Sequence, residues 1–167
     1  ALVEIILGKK TSDSCLALAM DFASFIGKTP IVVNDGRGFF TSRVFGTYVQ
    51  EGMAMLAEGI LPALIENAGR LAGMPVGPLA VADEVSLQLI HKVSLQTKAD
   101  LGSAYVDPPG ANVIHRMVTK LGRLGKKAGK GFYDYPSDKD KLLWLLLPTH
   151  FAQKPTKEQP CVEWVKK

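Results

Sequence analysis

The chain has 167 residues, of which 47% are hydrophobic and 22% are charged, and its formal net charge is +4. These fractions are those of a soluble globular protein that is long enough to bury one good core. The longest apolar run, near Leu142 to Leu147, is far too short to cross a bilayer, which requires about 20 residues.

The first 35 residues predict a strand, a helix and a second strand. Leu2 to Leu7 is an apolar run broken only by Glu4, which is typical of a buried strand. Thr11 to Asp13 supplies helix caps, and Gly27 ends the helical pattern that follows. Pro30 to Val33 is the second strand. Because a helix connects the two strands, we expect them to be parallel.

After the second strand, the spacing of apolar residues changes to that of helices. Four helices are predicted: Phe39 to about Glu58, Pro62 to Leu71, about Leu79 to Leu95, and one that Asn112 caps. Gly131 to Tyr135 has the pattern of a short extended segment. The expected fold class is mainly α: a short βαβ unit and then an all-α domain, with a boundary near residues 34–38.

Basic residues cluster at one place, in Arg123, Lys126, Lys127 and Lys130. Such a cluster can bind nucleic acid, a membrane surface or a phosphate-bearing cofactor, or it can be a solvated turn. No zinc-finger spacing, RNA-recognition signature or basic heptad accompanies it. We therefore expect no nucleic-acid partner.

The spacing of histidines and serines does not support a metal site or a serine nucleophile. His91, His115 and His150 are far apart in the sequence, and no Cys or His-Glu-x-x-His pattern accompanies them. The serines lack a nucleophile elbow. We predict no metal site.

Cysteine usage and the first residues indicate the compartment. Cys15 and Cys161 are the only cysteines, and their wide separation favours a reducing environment over a disulfide framework. The first four residues have no basic segment and no signal-cleavage pattern, so we expect a cytoplasmic protein. The sequence does not begin with Met, which indicates an excised fragment.

Two segments carry a resemblance to a known family. From Thr29 to Arg43, three β-branched residues lead into an Asn-Asp-Gly turn and then a helix, and Gly122 to Pro136 combines glycines, basic residues and Phe-Tyr. In this order they resemble the C-terminal part of NAD-dependent 3-hydroxyacyl-CoA dehydrogenases, especially the multifunctional fatty-acid oxidation α-subunits. The resemblance covers residues 1 to about 135. It implies oxidation of (3S)-3-hydroxyacyl-CoA to 3-oxoacyl-CoA in β-oxidation.

Glu4 is the candidate catalytic residue. A carboxylate in an apolar strand is costly to bury without a partner, and a histidine is one suitable partner because the carboxylate orients and stabilises the imidazolium. From the residues alone, the favoured interpretation is that Glu4 lies on an edge strand and points to solvent. In the resembled family, a glutamate in a Leu-Val-Glu strand pairs with a catalytic histidine a few residues upstream. That histidine would fall just before Ala1.

Ser42 is the candidate substrate-binding residue. The family usually has Asn immediately before the Arg of this segment, and the Asn side chain helps to position the carbonyl and hydroxyl region of the substrate. Ser42 occupies that place before Arg43. A serine hydroxyl donates one hydrogen bond where an amide donates two, so the contact with substrate is expected to differ.

The resemblance also implies domains and a cofactor. Residues 1–35 correspond to the end of an NAD-binding Rossmann-type domain, 36–136 to a helical substrate and dimerisation domain, and 137–167 to a tail before a second helical repeat. No Gly-x-Gly-x-x-Gly loop occurs in the chain. We therefore expect NAD to be bound by an N-terminal domain outside these residues, and the isolated chain to be inactive.

Three kinds of partner follow from the same reading. An acyl-CoA is the expected substrate, and a thiolase subunit is the expected partner in a fatty-acid oxidation complex. The apolar side chains of the first long helix predict a homo-oligomer, because they exceed what a small bundle buries: Phe45, Tyr48, Met53, Met55 and Leu56.

Two other functions remain as alternatives. One alternative is a 3-hydroxybutyryl-CoA dehydrogenase or a related hydroxy-acid enzyme. Another is a non-catalytic helical dimerisation or interaction module that binds an acidic partner.

Overall fold

A computed structural model describes residues 1–151 of the chain. The chain divides into two compact units, residues 1–47 and residues from 48 onward. The described residues are mainly helical, so the expected fold class is confirmed. None of the helices in residues 1–151 is both long enough and apolar enough to span a membrane.

The first unit contains the βαβ arrangement that the sequence predicts. Strand β1 (Leu2–Leu7) and strand β2 (Thr29–Asn34) flank helix α1 (Asp13–Phe25). The strands pair in parallel, and Glu4 lies opposite Ile31 in the register. Ser12 caps α1, because its Oγ accepts from the backbone N of Cys15 at 3.3 Å. The capping and the parallel pairing are therefore as predicted.

The remaining elements are helices and one small hairpin. Their bounds are α2 (Thr41–Ala57), α3 (Pro62–Leu71), α4 (Pro78–Val85), α5 (Leu87–Leu101), α6 (Ala111–Thr119), β3 (Tyr133–Asp134), β4 (Leu142–Leu143) and α7 (Leu147–His150). Strands β3 and β4 pair antiparallel. Short 3₁₀ turns occupy Gly102–Ala104 and Lys126–Ala128.

The helix predicted from Leu79 to Leu95 is wrong, because two helices occupy that span. Ser86 separates α4 from α5 and has a φ of +94°, outside the range of a right-handed helix. Its hydroxyl also donates to the backbone O of Leu124 at 3.3 Å. A tertiary contact thus supports the interruption between α4 and α5. The spacing of apolar residues along the chain gives no information about such a contact.

The predicted cap at Asn112 is also wrong. Helix α6 begins at Ala111, so its cap position is Gly110, two residues before Asn112, and Gly110 has no side chain to accept a hydrogen bond. A Cβ at Gly110 would collide with the side chain of Met53. Close packing on Met53 therefore requires a glycine at this cap position.

The core of the second unit is built on the C-terminal part of α2. Met53 and Leu56 are fully buried and Met55 is 9% exposed. A Cβ on Gly52 would lie 2.5 Å from Cβ of Pro78, so glycine permits this close approach of α2 to Pro78. Of the five α2 side chains on which the predicted homo-oligomer rests, these three are buried, whereas Phe45 and Tyr48 are partly exposed, so the homo-oligomer stays a prediction.

Candidate functional site

The carboxylate of Glu4 lies at the N-terminus of α2. Its Oε1 accepts from the backbone N of Phe40 at 2.7 Å and from the backbone N of Thr41 at 3.0 Å. Its Oε2 accepts from the hydroxyl of Thr41 at 2.6 Å. Glu4 therefore caps a helix that begins 37 residues later in the chain.

The backbone before α2 takes an unusual path to reach Glu4. Gly38 has a φ of +75° and Phe39 a φ of +42°, so two successive residues are left-handed. This conformation costs little at glycine and about 1 kcal/mol at a residue with a side chain. The turn presents the N–H groups of Phe40 and Thr41 to one carboxylate oxygen. Glycine is therefore needed at position 38 for a conformational reason.

Hydrogen bonding lowers the pKa of Glu4 below its ordinary value. The largest cause is the hydroxyl of Thr41, followed by the backbone N–H of the same residue. Donors that favour the charged form keep a carboxylate ionised at neutral pH. Glu4 thus satisfies its charge with a helix N-terminus, a partner that apolar patterning around Leu2–Leu7 does not predict.

Ser42 lies in the first turn of α2, directly after the residue that binds Glu4. Its side chain is exposed. None of the hydrogen bonds within residues 1–151 uses its hydroxyl. The structure thus brings the two predicted site residues to the same helix end and leaves the Ser42 hydroxyl able to donate. Sequence reasoning missed Thr41 between them, although a hydroxyl residue at the start of a helix is itself a signal.

A second cluster of polar residues is buried inside the helical unit. Asp83 on α4 is 1% exposed, and Glu66 on α3 is 4% exposed. Asp83 accepts from the backbone N of Phe132 and of Tyr133, both at 2.9 Å, and from the hydroxyl of Tyr135 at 3.0 Å. These bonds tie α4 to the extended segment that the sequence predicts at residues 131–135.

Glu66 also binds this extended segment, and it binds the start of α4 as well. Its Oε1 accepts from the backbone N of Leu79 at 2.7 Å, at the start of α4, and its Oε2 accepts from the hydroxyl of Tyr133 at 2.6 Å. Burial raises the pKa of Asp83 to about 6, and its hydrogen bonds and Arg123 oppose that rise. Glu66 and Asp83 thus connect α3, the start of α4 and residues 132–135 in one buried hydrogen-bonded network.

The basic cluster does not form a continuous anion-binding surface. Arg123 is 7% exposed and donates to the backbone O of Gly131 and of Tyr133 and to the carboxylate of Asp134. Its guanidinium lies 4.1 Å from the centre of the Trp144 ring. Lys126 lies 3.5 Å from a carboxylate oxygen of Glu84. The interpretation as a solvated turn holds for the lysines, but Arg123 is internal.

Two histidines that are distant in sequence meet across α5 and α6. The ring centroids of His91 and His115 are 5.3 Å apart in an edge-on arrangement. They line a cavity of about 490 Å³. Other polar groups on its wall are paired: Lys98 lies 3.6 Å from Asp107, and Ser94 is 3.0 Å from the hydroxyl of Tyr105. In residues 1–151, no group of three His, Cys, Asp or Glu side chains could hold a metal ion.

The connection between β1 and α1 does not fit a dinucleotide. The backbone N of Gly8 donates to the hydroxyl of Thr11 at 3.0 Å, and the backbone N of Thr11 donates to the O of Gly8 at 3.1 Å. The Ser12 hydroxyl accepts from the backbone N of Cys15, in the first turn of α1. A pyrophosphate is typically held by a glycine-rich turn with its N–H groups open, and the turn at residues 8–12 is not of that kind.

Family models match most of the chain. Residues 1–36 match "3-hydroxyacyl-CoA dehydrogenase, NAD binding domain", and residues 38–135 match "3-hydroxyacyl-CoA dehydrogenase, C-terminal domain". The first match identifies the βαβ unit as part of an NAD-binding domain of this family. The second covers the segment that contains both the Ser42 position and the Asp83 network.

Curated relatives agree with the family models. The chain is 37% identical over 142 residues to the fatty acid oxidation complex subunit alpha of Shewanella sp. strain W3-18-1, which covers 84% of the chain and 19% of that relative. The corresponding subunit of Shewanella loihica is 37% identical over 142 residues, covering 85% and 20% respectively. The chain thus spans about a fifth of the length of these relatives.

Solved structures share the fold. The (S)-3-hydroxybutyryl-CoA dehydrogenase of Ralstonia eutropha has a TM-score of 0.72 and 33% identity, over 82% of this chain and 48% of that one. The 3-hydroxybutyryl-CoA dehydrogenase of Escherichia coli has a TM-score of 0.71 and 28% identity, over 84% and 30%. The dehydrogenase part of multifunctional enzyme 1 from C. elegans has a TM-score of 0.66 and 25% identity, over 98% and 37%. This chain belongs to the 3-hydroxyacyl-CoA dehydrogenase family.

Proposed function

We propose that the protein containing this chain oxidises (3S)-3-hydroxyacyl-CoA to 3-oxoacyl-CoA with NAD in fatty-acid β-oxidation. The observation that supports this most directly is the arrangement at the N-terminus of α2. There Glu4 is held by three hydrogen bonds, and Ser42 follows the residue that supplies two of them. The family match of residues 38–135 gives this arrangement its chemical context.

Glu4 is proposed as the carboxylate of the catalytic pair. Oxidising an alcohol requires a base that takes the hydroxyl proton, and a histidine upstream of Ala1 is the proposed base. A fixed carboxylate orients the imidazole and stabilises the imidazolium that forms. The lowered pKa of Glu4 suits this role, because the side chain remains charged at the pH at which histidine titrates.

Ser42 is proposed as the hydrogen-bond donor to the oxygen of the substrate that becomes the ketone. Its exposed side chain in the first turn of α2 supports this role. The partial positive charge at a helix N-terminus favours an oxygen that carries negative charge. A serine reaches less far than the Asn that is usual in the family, so we expect a weaker contact with substrate.

Domain limits, partners and location are part of the same proposal. The NAD-binding portion ends near residue 35, the helical substrate and dimerisation domain spans 36–136, and the remainder leads to a second helical repeat. NAD binding is proposed to require residues upstream of this chain, so the isolated chain is expected to be inactive. A cytoplasmic location and a thiolase subunit as partner complete the proposal, and the relatives named as complex subunits support the latter.

A homo-oligomer is proposed on different residues from those that the sequence suggested. Leu89 and Val93, one turn apart on α5, are both 51% exposed, and Val106 is 84% exposed. Leu89 and Val93 share one face of α5, and contiguous exposed apolar side chains are typical of surfaces that a partner covers. A second copy of the chain is the proposed partner for α5.

The test is an assay of NADH oxidation with acetoacetyl-CoA. It compares this chain with a longer protein that includes a complete upstream dinucleotide domain, in wild-type form and with Glu4→Gln. Activity confined to the longer protein and lost in Glu4→Gln is the expected result. Activity of the longer protein that survives Glu4→Gln would reject the catalytic role of Glu4.

A non-catalytic interaction module is the second candidate. The exposed lysines of the basic cluster favour it, because they could bind an acidic partner. It predicts partner binding that weakens with salt, and no dehydrogenase activity in either protein. The NADH oxidation assay, together with a measurement of partner binding at two salt concentrations, separates the two candidates.

A further inference from the structure

The hydrogen bonds of Glu4 nearly fill its capacity to accept. An ionised carboxylate offers about four acceptor sites, two on each oxygen. Oε1 uses two of them, for the backbone N of Phe40 and of Thr41. Oε2 uses one, for the Thr41 hydroxyl. Among the contacts within residues 1–151, one acceptor site therefore remains, and it is on Oε2.

We propose that Thr41 positions the Glu4 carboxylate, and that Oε2 is the oxygen left to accept an imidazole N–H in the catalytic pair. The second part rests on the function proposed above. The first part rests only on the contacts of Thr41, which donates to both oxygens of one side chain.

The Thr41 hydroxyl is needed to fix the orientation of the Glu4 carboxylate, because a carboxylate rotates easily about its terminal bond. The terminal torsion of a glutamate side chain is broad, so donors on one oxygen alone leave the other free to swing. The backbone N–H groups hold Oε1, and the Thr41 hydroxyl at 2.6 Å holds Oε2. Both oxygens are thereby fixed by one short segment at the start of α2. Removing the hydroxyl frees Oε2 while leaving the helix cap on Oε1 intact.

The charge of Glu4 responds to the same group. The Thr41 hydroxyl is the largest contribution to its lowered pKa, ahead of the two backbone donors. A hydrogen bond to the charged form stabilises that form. Thr41 thus affects both the direction in which Oε2 faces and the pH above which Glu4 is charged.

The first test uses the 167-residue chain and NMR titration of the Glu4 side-chain carboxyl. Thr41→Val removes the hydroxyl with little change in shape, and Thr41→Ser keeps it. Thr47→Val is the matched control, because the Thr47 hydroxyl donates to the backbone O of Val44 at 2.7 Å on the same helix and not to Glu4. We expect the pKa of Glu4 to rise in Thr41→Val and to stay unchanged in the other two variants. An unchanged pKa in Thr41→Val would overturn the proposal.

The second test uses the longer protein that carries the upstream histidine. We expect Thr41→Val to lower kcat about tenfold with little change in KM, because orientation of the base acts in the transition state. Thr41→Ser should restore most of the loss. A kcat unchanged in Thr41→Val would reject Oε2 as the partner oxygen. An inactive wild-type protein would instead reject the proposed function, and the NMR titration would still decide whether Thr41 positions Glu4.

Discussion

Oδ2 of Asp83 lies 2.9 Å from the backbone N of Tyr133, fifty residues further along the chain. Its other oxygen lies at the same distance from the backbone N of Phe132. Two adjacent N–H groups of an extended segment are thus satisfied by one buried side chain on α4. A carboxylate here replaces the neighbouring strand that would ordinarily accept these bonds.

Asp83→Asn should destabilise the chain. An amide offers only one acceptor oxygen, so one of the two N–H groups would face an NH₂ group in a buried position. Leaving a buried donor unsatisfied costs about 1–3 kcal/mol, more where a charged partner is lost. We expect a loss of about 2–4 kcal/mol in the free energy of unfolding, measured with urea. Asp138→Asn, at an exposed position, is the control and should have no effect.

Stability should also depend on the ionisation of Asp83. Its pKa is about 6 in the folded chain, above its ordinary value of 3.8, so the folded state holds this proton over a range in which the unfolded state has lost it. The free energy of unfolding should therefore fall as pH rises from about 4 to about 6, by at most about 3 kcal/mol. Urea unfolding of wild type and Asp83→Asn across this range isolates the effect. A difference between them that does not vary with pH would contradict it.

Gly131→Ala should destabilise the chain even though alanine is a conservative change. A Cβ at Gly131 would collide with the carboxylate of Asp83, which the network holds in place. Overpacking of this kind typically costs about 1–3 kcal/mol. Gly46→Ala is the opposite control, since it lies within α2 with no atom within 4 Å of the new Cβ. Thermal unfolding should show a lower midpoint for the first variant and a midpoint raised or unchanged for the second.

The histidine pair gives a prediction about titration. Burial lowers the pKa of His91, and the neighbouring His115 lowers it further. His115→Ala removes the second cause and opens the site to water, so the pKa of His91 should rise toward its ordinary value. Proton NMR of the His91 ring measures it directly. A pKa that falls in this variant would show that the two rings do not meet as described.

Self-association should depend on α5. Val93→Asp places a charge in the exposed apolar surface that we propose a second copy covers. We expect light scattering to give a multiple of the chain mass for wild type and the mass of one chain for this variant. Leu145→Asp, at a side chain that is 88% exposed in another part of the chain, should leave the association unchanged. A wild-type chain that is monomeric at high concentration would reject the proposal.

Local patterning predicted much of the fold. Apolar runs, caps and glycines sufficed for β1, α1, β2 and α3, whose bounds lie within about two residues of the structure. The errors arose where a distant contact decides the outcome. Ser86 interrupts a continuous apolar pattern and donates to Leu124, and the cap position of α6 is Gly110, which packs closely against Met53.

The candidate site was predicted in part for a related reason. Glu4 and Ser42 were selected by resemblance, and the structure places both at one helix end. Thr41 was missed because its importance lies in the hydrogen bonds that its backbone N and its hydroxyl donate to a residue 37 positions away. The hydrogen bonds between Asp83 and residues 132–135 were missed for the same reason. The sequence around a single acidic residue on a helix does not show which distant groups donate to it.

The parallel pair of β1 and β2 has a consequence for handling the chain. Each strand has one hydrogen-bonded neighbour among residues 1–151, so the outer backbone edges of both are open. Leu2, Ile6 and Val32 are each 40% or more exposed on these strands. Open edges of apolar strands recruit further strands, from the same chain or another. A purified sample should therefore associate through β1 and β2, and an added strand that pairs with β1 should keep it in solution.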